Sequence, residues 1–230
     1  MKTIGIIGGM GPLAAADLFT KITKLTLAKT DQEHIHVIVD SNTAIPDRTA
    51  AILGTGDNPV PEMVRTALRL ENAGADVLVM SCNTAHYFID EVRKFTTLPI
   101  INMIEETAKE VKRQGIKCVG LLATEGTCQT GIYDRAFAAQ GVEVVKPNDA
   151  LEAHVMDLIY KGIKAGLTEY PLDDINKVLS ALQDQGAECF IMGCTELPLA
   201  FAIYNIKATT VDPTEVLARR AIEFVGGKTL

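Results

Sequence analysis

The passage GADVLVMSCNT at residues 74–84 returns as GAECFIMGCTE at residues 186–196. Gly74 and Gly186, Ala75 and Ala187, Met80 and Met192, and Cys82 and Cys194 are identical at a constant offset of 112, and the other strand positions are similar. The echo continues outside this passage. KTIGIIGGMG at 2–11 answers KCVGLLATEG at 117–126, and LPIINMIEETAKEV at 98–111 loosely answers ATTVDPTEVLARRA at 208–221. Two buried strands can resemble each other by chance, but an offset and an order that persist across several elements mark a duplicated unit. We therefore expect two copies of one domain, the first over residues 1–100 completed by 209–230 and the second over 101–208. The helix near 213–226 should pack back on the first copy, as the helix near 103–114 serves the second.

The repeated unit is α/β in character. Short runs rich in Val and Ile lie at 3–7, 35–39, 77–81, 117–122, 142–145, 188–193 and 208–211. Longer segments of helical period lie near 13–29, 60–73, 85–96, 103–114, 130–140, 150–165, 172–185 and 213–226. That alternation implies short, mostly parallel sheets flanked by helices and joined by right-handed crossovers. A length of 230 residues allows one domain or two, and a 47% hydrophobic share fills a core. The net charge of −7 argues against a nucleic-acid partner, which needs a basic face. No apolar run approaches the roughly 20 residues that cross a bilayer. The opening IGIIGGMGP is broken by Gly and Pro too early for a signal peptide, so a cytoplasmic protein without membrane contact is expected.

Five cysteines, an odd number without an export signal, argue against a disulfide framework. Four histidines and no Cys-x-x-Cys leave little for a metal site. His34 and His36 alternate in a strand-like stretch and read as surface residues. Cys118 and Cys189 lie inside strands and read as small hydrophobes. Cys128, beside Thr127, fits the first turn of a helix. Cys82 and Cys194 stand apart, because duplication puts both at the carboxyl end of a parallel strand, where ligands bind in such sheets. Each precedes an expected helix start, with Asn83-Thr84 or Thr195-Glu196 as candidate caps and as backbone donors to an anion. A helix end lowers a thiol pKa and favours the thiolate.

Two related lobes could face each other across one cleft, with one sulfur on each side of a substrate carbon. That arrangement suits racemisation, in which one cysteine removes a proton as thiolate and the other returns one as thiol. With about 3–3.5 Å from each sulfur to the carbon, the sulfurs would stand about 7 Å apart. A redox pair would instead need contact at about 2.05 Å. Stabilisation of the carbanion would fall to oriented donors around the substrate carboxylate.

The motifs IGIIGGMGP (4–12), IPDRT (45–49), GAD…SCNTAH (74–86), LPIINMIEET (98–107), GLLATEGT (120–127), KAG (164–166) and GCTE (193–196) resemble the aspartate/glutamate racemase family over essentially the full length. Within it the chain resembles the cofactor-independent aspartate racemases. The resemblance implies two pseudo-symmetric α/β domains with an interdomain active site, neither pyridoxal phosphate nor metal, and a homodimer acting on a dicarboxylic amino acid. By position, Cys82 and Cys194 match the catalytic pair, the second facing the proton of the L-enantiomer and the first that of the D-enantiomer. Asn83, Thr84, Thr124 and Thr195 match residues around the α-carboxylate. Arg48 and Lys164 match the pair associated with dicarboxylate recognition, with Asp47 placed to orient Arg48. Met10 and Pro12 match positions that line the pocket. The chemistry of Arg48 and Lys164 agrees, since a planar fork and a point charge suit the two ends of a dicarboxylate. His86 could tune Cys82 or lie on a helix surface.

Other readings stay open. Gly9-x-Gly11-x-x-Ala14 follows a strand and opens a helix, and Asp40 ends the next strand, which is the pattern of an NAD-dependent dehydrogenase. Against it, 26 residues separate Ala14 from Asp40, more than the usual ~20, and the duplicated cysteines would have no task. Glutamate or hydantoin racemases keep both cysteines. A decarboxylase or cis–trans isomerase typically keeps one catalytic cysteine or uses one as a nucleophile. A non-catalytic amino-acid-binding protein would need neither.

Overall fold

The computed structural model describes residues 2–230. The chain forms two compact units, one of Met1–Glu106 with Thr214–Leu230 and one of Thr107–Pro213.

In the first unit, β1 (Ile4–Gly8), β2 (Val37–Ser41) and β3 (Val77–Met80) make a parallel sheet in the order β2-β1-β3. β1 and β3 show the two-residue alternation of strands buried on both faces, while the edge strand β2 is part-exposed. Ile4, Ile6, Val77 and Val79 point to one side, where they meet Leu18 and Ile22 of α1 (Pro12–Leu25). On the same side lie Leu217, Ala218, Ala221 and Ile222 of α11 (Pro213–Phe224). Ile7, Leu78 and Met80 point to the other side, against Met63, Ala67 and Leu70 of α3 (Val60–Asn72). Those three residues fall at i, i+4 and i+7, one stripe of the helix. Each fully buried Leu or Ile contributes about 1.5–3 kcal/mol. The last residues close the unit, with Thr229 bridged to Thr26 and the Leu230 amide donating to the Leu25 carbonyl at 2.9 Å.

In the second unit, β4 (Cys118–Ala123), β5 (Glu143–Val145), β6 (Cys189–Gly193) and β7 (Thr210–Val211) form a parallel sheet in the order β5-β4-β6-β7. Leu122, Phe190 and Met192 pack on Ile175, Val178, Leu179 and Leu182 of α9 (Asp173–Asp184) and on Val155 of α8 (Asp149–Asp157). The plan repeats that of the first unit, with the middle strand first in sequence and its two partners next. Even the fourth position recurs, since Ile100 bridges Leu78 in parallel where Thr210 pairs with Phe190.

Several segments differ from the sequence expectation. The stretch near 85–96 is a 3-10 turn at Thr84–Phe88 followed by α4 (Ile89–Arg93). The stretch near 150–165 is α8 continued by a π-helical turn at Leu158–Ile163. Three short helices had no periodic signal: α2 (Arg48–Ile52), α6 (Glu125–Thr130) and α10 (Leu197–Ile203). Gly131, in the left-handed region at φ 62°, divides α6 from α7 (Ile132–Ala138). His34 and His36 share no strand face, because a 3-10 turn at Asp31–Glu33 precedes them and β2 begins only at Val37. Among the described residues, no helix is long and apolar enough to cross a membrane.

Candidate active site

In the first unit the loops after all three strands carry site candidates. Register pairs Gly8 with Ser41 and Ile7 with Met80, so the three chains leave the sheet at one level. Met10 follows β1, the IPDRT loop follows β2, and Cys82 follows β3. Met10 and Cys82 are buried in one apolar cluster with Ile45. Pro12 is exposed at the start of α1, where its missing N–H costs no helical bond.

Gly9 has a packing reason to be glycine. Its φ is +90°, and a Cβ there would sit 2.3 Å from the carbonyl carbon and oxygen of Asn42. The glycine thus makes room for the chain's own loop. Asp40, the ribose acceptor a dinucleotide site would need, is bound instead to Arg69 Nε at 2.7 Å.

Arg48 is half-buried. Its Nη1 donates to the Pro46 carbonyl at 2.9 Å and to the Ile45 carbonyl at 3.4 Å, while its buried Nε has no acceptor. Asp47 does not orient it. The Asp47 carboxylate accepts from the Ala50 amide at 2.7 Å and caps α2, so backbone carbonyls aim the guanidinium.

Cys82 is 7% exposed, with Asn83 and Thr84 buried beside it. Asn83 stands at the cap position of the 3-10 turn but makes no side-chain cap bond. His86 is buried, which excludes the helix-surface role. Its Nε2 accepts from the Met103 amide at 3.2 Å, so the proton sits on Nδ1, which donates to the Cys82 carbonyl at 2.8 Å. Burial pushes the His86 pKa down to about 4, with Arg93 adding to the fall against backbone bonds that raise it. The ring is therefore a neutral clamp between the backbone of Cys82 and the start of α5 (Met103–Arg113). It touches the peptide of Cys82 and not the thiol.

In the second unit, β4 and β6 are neighbours with Ala123 opposite Gly193, so Thr124 and Cys194 leave the sheet side by side. Thr124 occupies the cap position of α6 without a side-chain cap bond, and its hydroxyl is hydrogen bonded to that of Thr127 at 3.1 Å. Cys194 is also 7% exposed. Its thiol donates to Glu196 Oε2 at 2.9 Å, and the Thr195 hydroxyl donates to the same oxygen at 3.1 Å. Lys164 follows the π-helical turn, with its Nζ 3.7 Å from Glu196 Oε1 and 4.3 Å from the centroid of the Tyr160 ring.

The expected thiolate at a helix end is corrected for Cys194. Burial first, then the negative Glu196, hold this thiol well above its ordinary range, and Lys164 offsets only part. The α10 helix is seven residues long and starts three residues beyond the sulfur, too short and too far to compete. The same carboxylate corrects the expectation that Thr195-Glu196 cradles an anion, since Glu196 brings its own negative charge there. Sequence reading weighed Glu196 as a cap and missed its contact with the thiol. The available signal was the repeat itself, which sets Glu196 opposite Thr84. Tyr133, fully buried on α7 and electrostatically coupled to Cys194 and Asp212, also escaped notice. Cys128 is half-buried on α6, and burial with nearby Glu152 raises its pKa, which leaves it a protonated thiol.

A family model for Asp/Glu/Hydantoin racemase matches residues 7–221. The aspartate racemase of Picrophilus torridus is 30% identical with a TM-score of 0.84, covering 100% of this chain and 96% of that one. An aspartate racemase homologue from Pyrococcus horikoshii OT3 is 26% identical with a TM-score of 0.76, covering 97% and 99%. The broad specificity amino-acid racemase RacX of Bacillus subtilis is 26% identical over 225 residues, 95% of this chain and 96% of the relative. With a match over nearly its whole length and the same fold as these solved structures, the chain belongs to the Asp/Glu/hydantoin racemase family.

Proposed function

We propose that this racemase interconverts L- and D-aspartate by a two-base mechanism in which Cys82 and Cys194 serve alternately as thiolate base and thiol acid, without a cofactor. The observation that carries the reading is the equivalence of the two sulfurs. Each is buried within two residues of the carboxyl end of the third strand of its unit, in sheets whose first three strands have the same order. Binding alone gives a protein no use for that pair. A reaction whose two directions are mirror images uses both.

The choice of a dicarboxylate is supported by Arg48 and Lys164, and aspartate by the full-length likeness to an aspartate racemase. The guanidinium of Arg48 is held by two backbone carbonyls, and its Nε is without an acceptor, so it retains donors for a carboxylate. Asn83, Thr84, Thr124 and Thr195 are the polar groups around the two sulfurs that would meet the amino-acid end of the substrate. A broader range is the second reading, favoured by the likeness to a broad specificity amino-acid racemase.

A substrate panel with chiral readout tests both. L- and D-aspartate, glutamate and alanine are incubated separately with the enzyme in D₂O, without pyridoxal phosphate. Loss of optical rotation with deuterium at Cα for aspartate above the others supports the proposal. Comparable rates across the panel favour the broad reading. No exchange with any substrate overturns both.

A further inference from the structure

The duplicated motif differs where it matters for proton transfer. Glu196 stands where the first copy has Thr84. The Cys194 thiol donates to its Oε2 at 2.9 Å, and Lys164 lies 3.7 Å from its Oε1. We propose that Glu196 is a positioning residue for racemisation, taking the Cys194 proton before that sulfur acts as base and holding it through the turnover. The inference rests on the racemase reading above and assigns one of its proton acceptors.

The protons balance. The cycle starts with the Cys194 thiol donating to the Glu196 carboxylate and with a proton on Cys82 to deliver. The Sγ–H bond of Cys194 breaks and an O–H bond forms on Oε2, leaving a thiolate and a neutral carboxyl group. The thiolate electron pair takes the Cα proton, and the C–H electrons remain on carbon. The Cys82 thiol protonates the opposite face and becomes the thiolate. After product release Glu196 loses its proton to water and Cys82 regains one. The reverse reaction passes through the same states in the opposite order.

The physical case lies in burial. Losing the Cys194 proton to water would place a second negative charge beside Glu196 on a sulfur that is itself buried, at high cost. Transfer along the existing hydrogen bond leaves the net charge of the pair at −1 and only moves it. Lys164 faces the carboxylate throughout, and buried Tyr133 is the other titratable neighbour of the sulfur.

The test uses the full chain with Glu196→Gln and Glu196→Asp. Three readouts are taken: kcat/KM for each enantiomer, the urea unfolding midpoint, and the pH profile of Cys194 alkylation by iodoacetamide, followed by peptide mass. The Gln variant should lose about 100-fold in kcat/KM. The loss must be equal for both enantiomers, because their free energies in water are equal. The Asp variant should recover about tenfold of that. Meanwhile Cys194 should alkylate faster at neutral pH in the Gln variant, since its negative neighbour is gone. Slower racemisation by a more reactive thiol is an outcome that a packing role does not produce. An unchanged or higher kcat/KM, or an unchanged alkylation profile, overturns the proposal. If the wild-type protein racemises nothing, the racemase reading falls and takes this inference with it. An active wild type with an indifferent Gln variant sinks this inference alone.

Discussion

Gly9 and Thr124 occupy the same loop of the two units, directly after the central strand, and they build it differently. Gly9 sits at φ +90° under the backbone of Asn42, whereas Thr124 is extended at φ −72° with its hydroxyl bound to Thr127. A second pair diverges in the same way. Beside Cys82 stands Thr84, and the nearest titratable clamp, His86, grips the peptide of Cys82. Beside Cys194 stands Glu196, bonded to the sulfur itself. Strand order, the core alternation and the cysteine are common to both copies, while the loop chemistry is not. Duplication fixes where a sulfur can stand, because the pleat and the register dictate it. What surrounds the sulfur is decided one or two residues later, where the chain leaves the sheet and few backbone bonds constrain it.

The largest effect should come from removing either sulfur. Cys82→Ala and Cys194→Ala should each lower racemisation by roughly 10⁴-fold. Exchange should survive unequally. The Cys194 variant keeps one base and should wash deuterium only into the enantiomer facing Cys82, and the Cys82 variant only into the other. Near-normal turnover by either variant would break the equivalence of the two copies.

Acid should act on the Cys82 side through His86. The folded pKa is about 4 against an unfolded value near 6.5, so the unfolded chain binds more protons between those values. Stability is therefore complete above about pH 6.5 and is lost as pH falls toward 4, by about 3 kcal/mol. Urea unfolding of wild type and His86→Gln at pH 7 and pH 4.5 measures it. The difference between the two proteins should shrink on acidification. A constant difference would mean that His86 is not held neutral.

The loop comparison comes next in size. Gly9→Ala should destabilise by roughly 2 kcal/mol, from the positive φ and the clash with Asn42. Thr124→Gly at the matching position should cost less than about 1 kcal/mol, because glycine is tolerated at a helix cap. Equal losses would show that the two loops are under the same constraint. Smallest is Arg48→Ala, which should weaken dicarboxylate turnover about tenfold more than that of alanine, as expected for one charged hydrogen-bonded contact. An equal effect on both substrates would remove Arg48 from recognition of the side chain.

Much of the architecture could be read from the chain because parallel strands buried on both faces are continuous apolar runs. The runs at 77–81 and 188–193 became β3 and β6 for that reason. The short helices α2, α6 and α10 could not be read, since five to seven residues carry too little periodicity to register. Asp47 was legible as a polar residue in a loop, yet its role as the cap of α2 depends on a helix that gives no other sign of itself. His86 and Glu196 failed for another reason. Their behaviour depends on burial and on a specific partner, Met103 for one and the Cys194 sulfur for the other, and a linear pattern records neither.

The first unit contains both ends of the described chain, with Leu217, Ala218, Ala221 and Ile222 in the same core as Ile4 and Ile6. On the ribosome this reverses the order of completion. Residues 2–106 emerge first, but one face of their sheet is covered only in part, by α1, until α11 has been made, while the segment between can close on itself earlier. Delay in making residues 214–230 would thus prolong exposure of the earlier-made residues 2–106, and of these two units the one translated second would be the one that folds first.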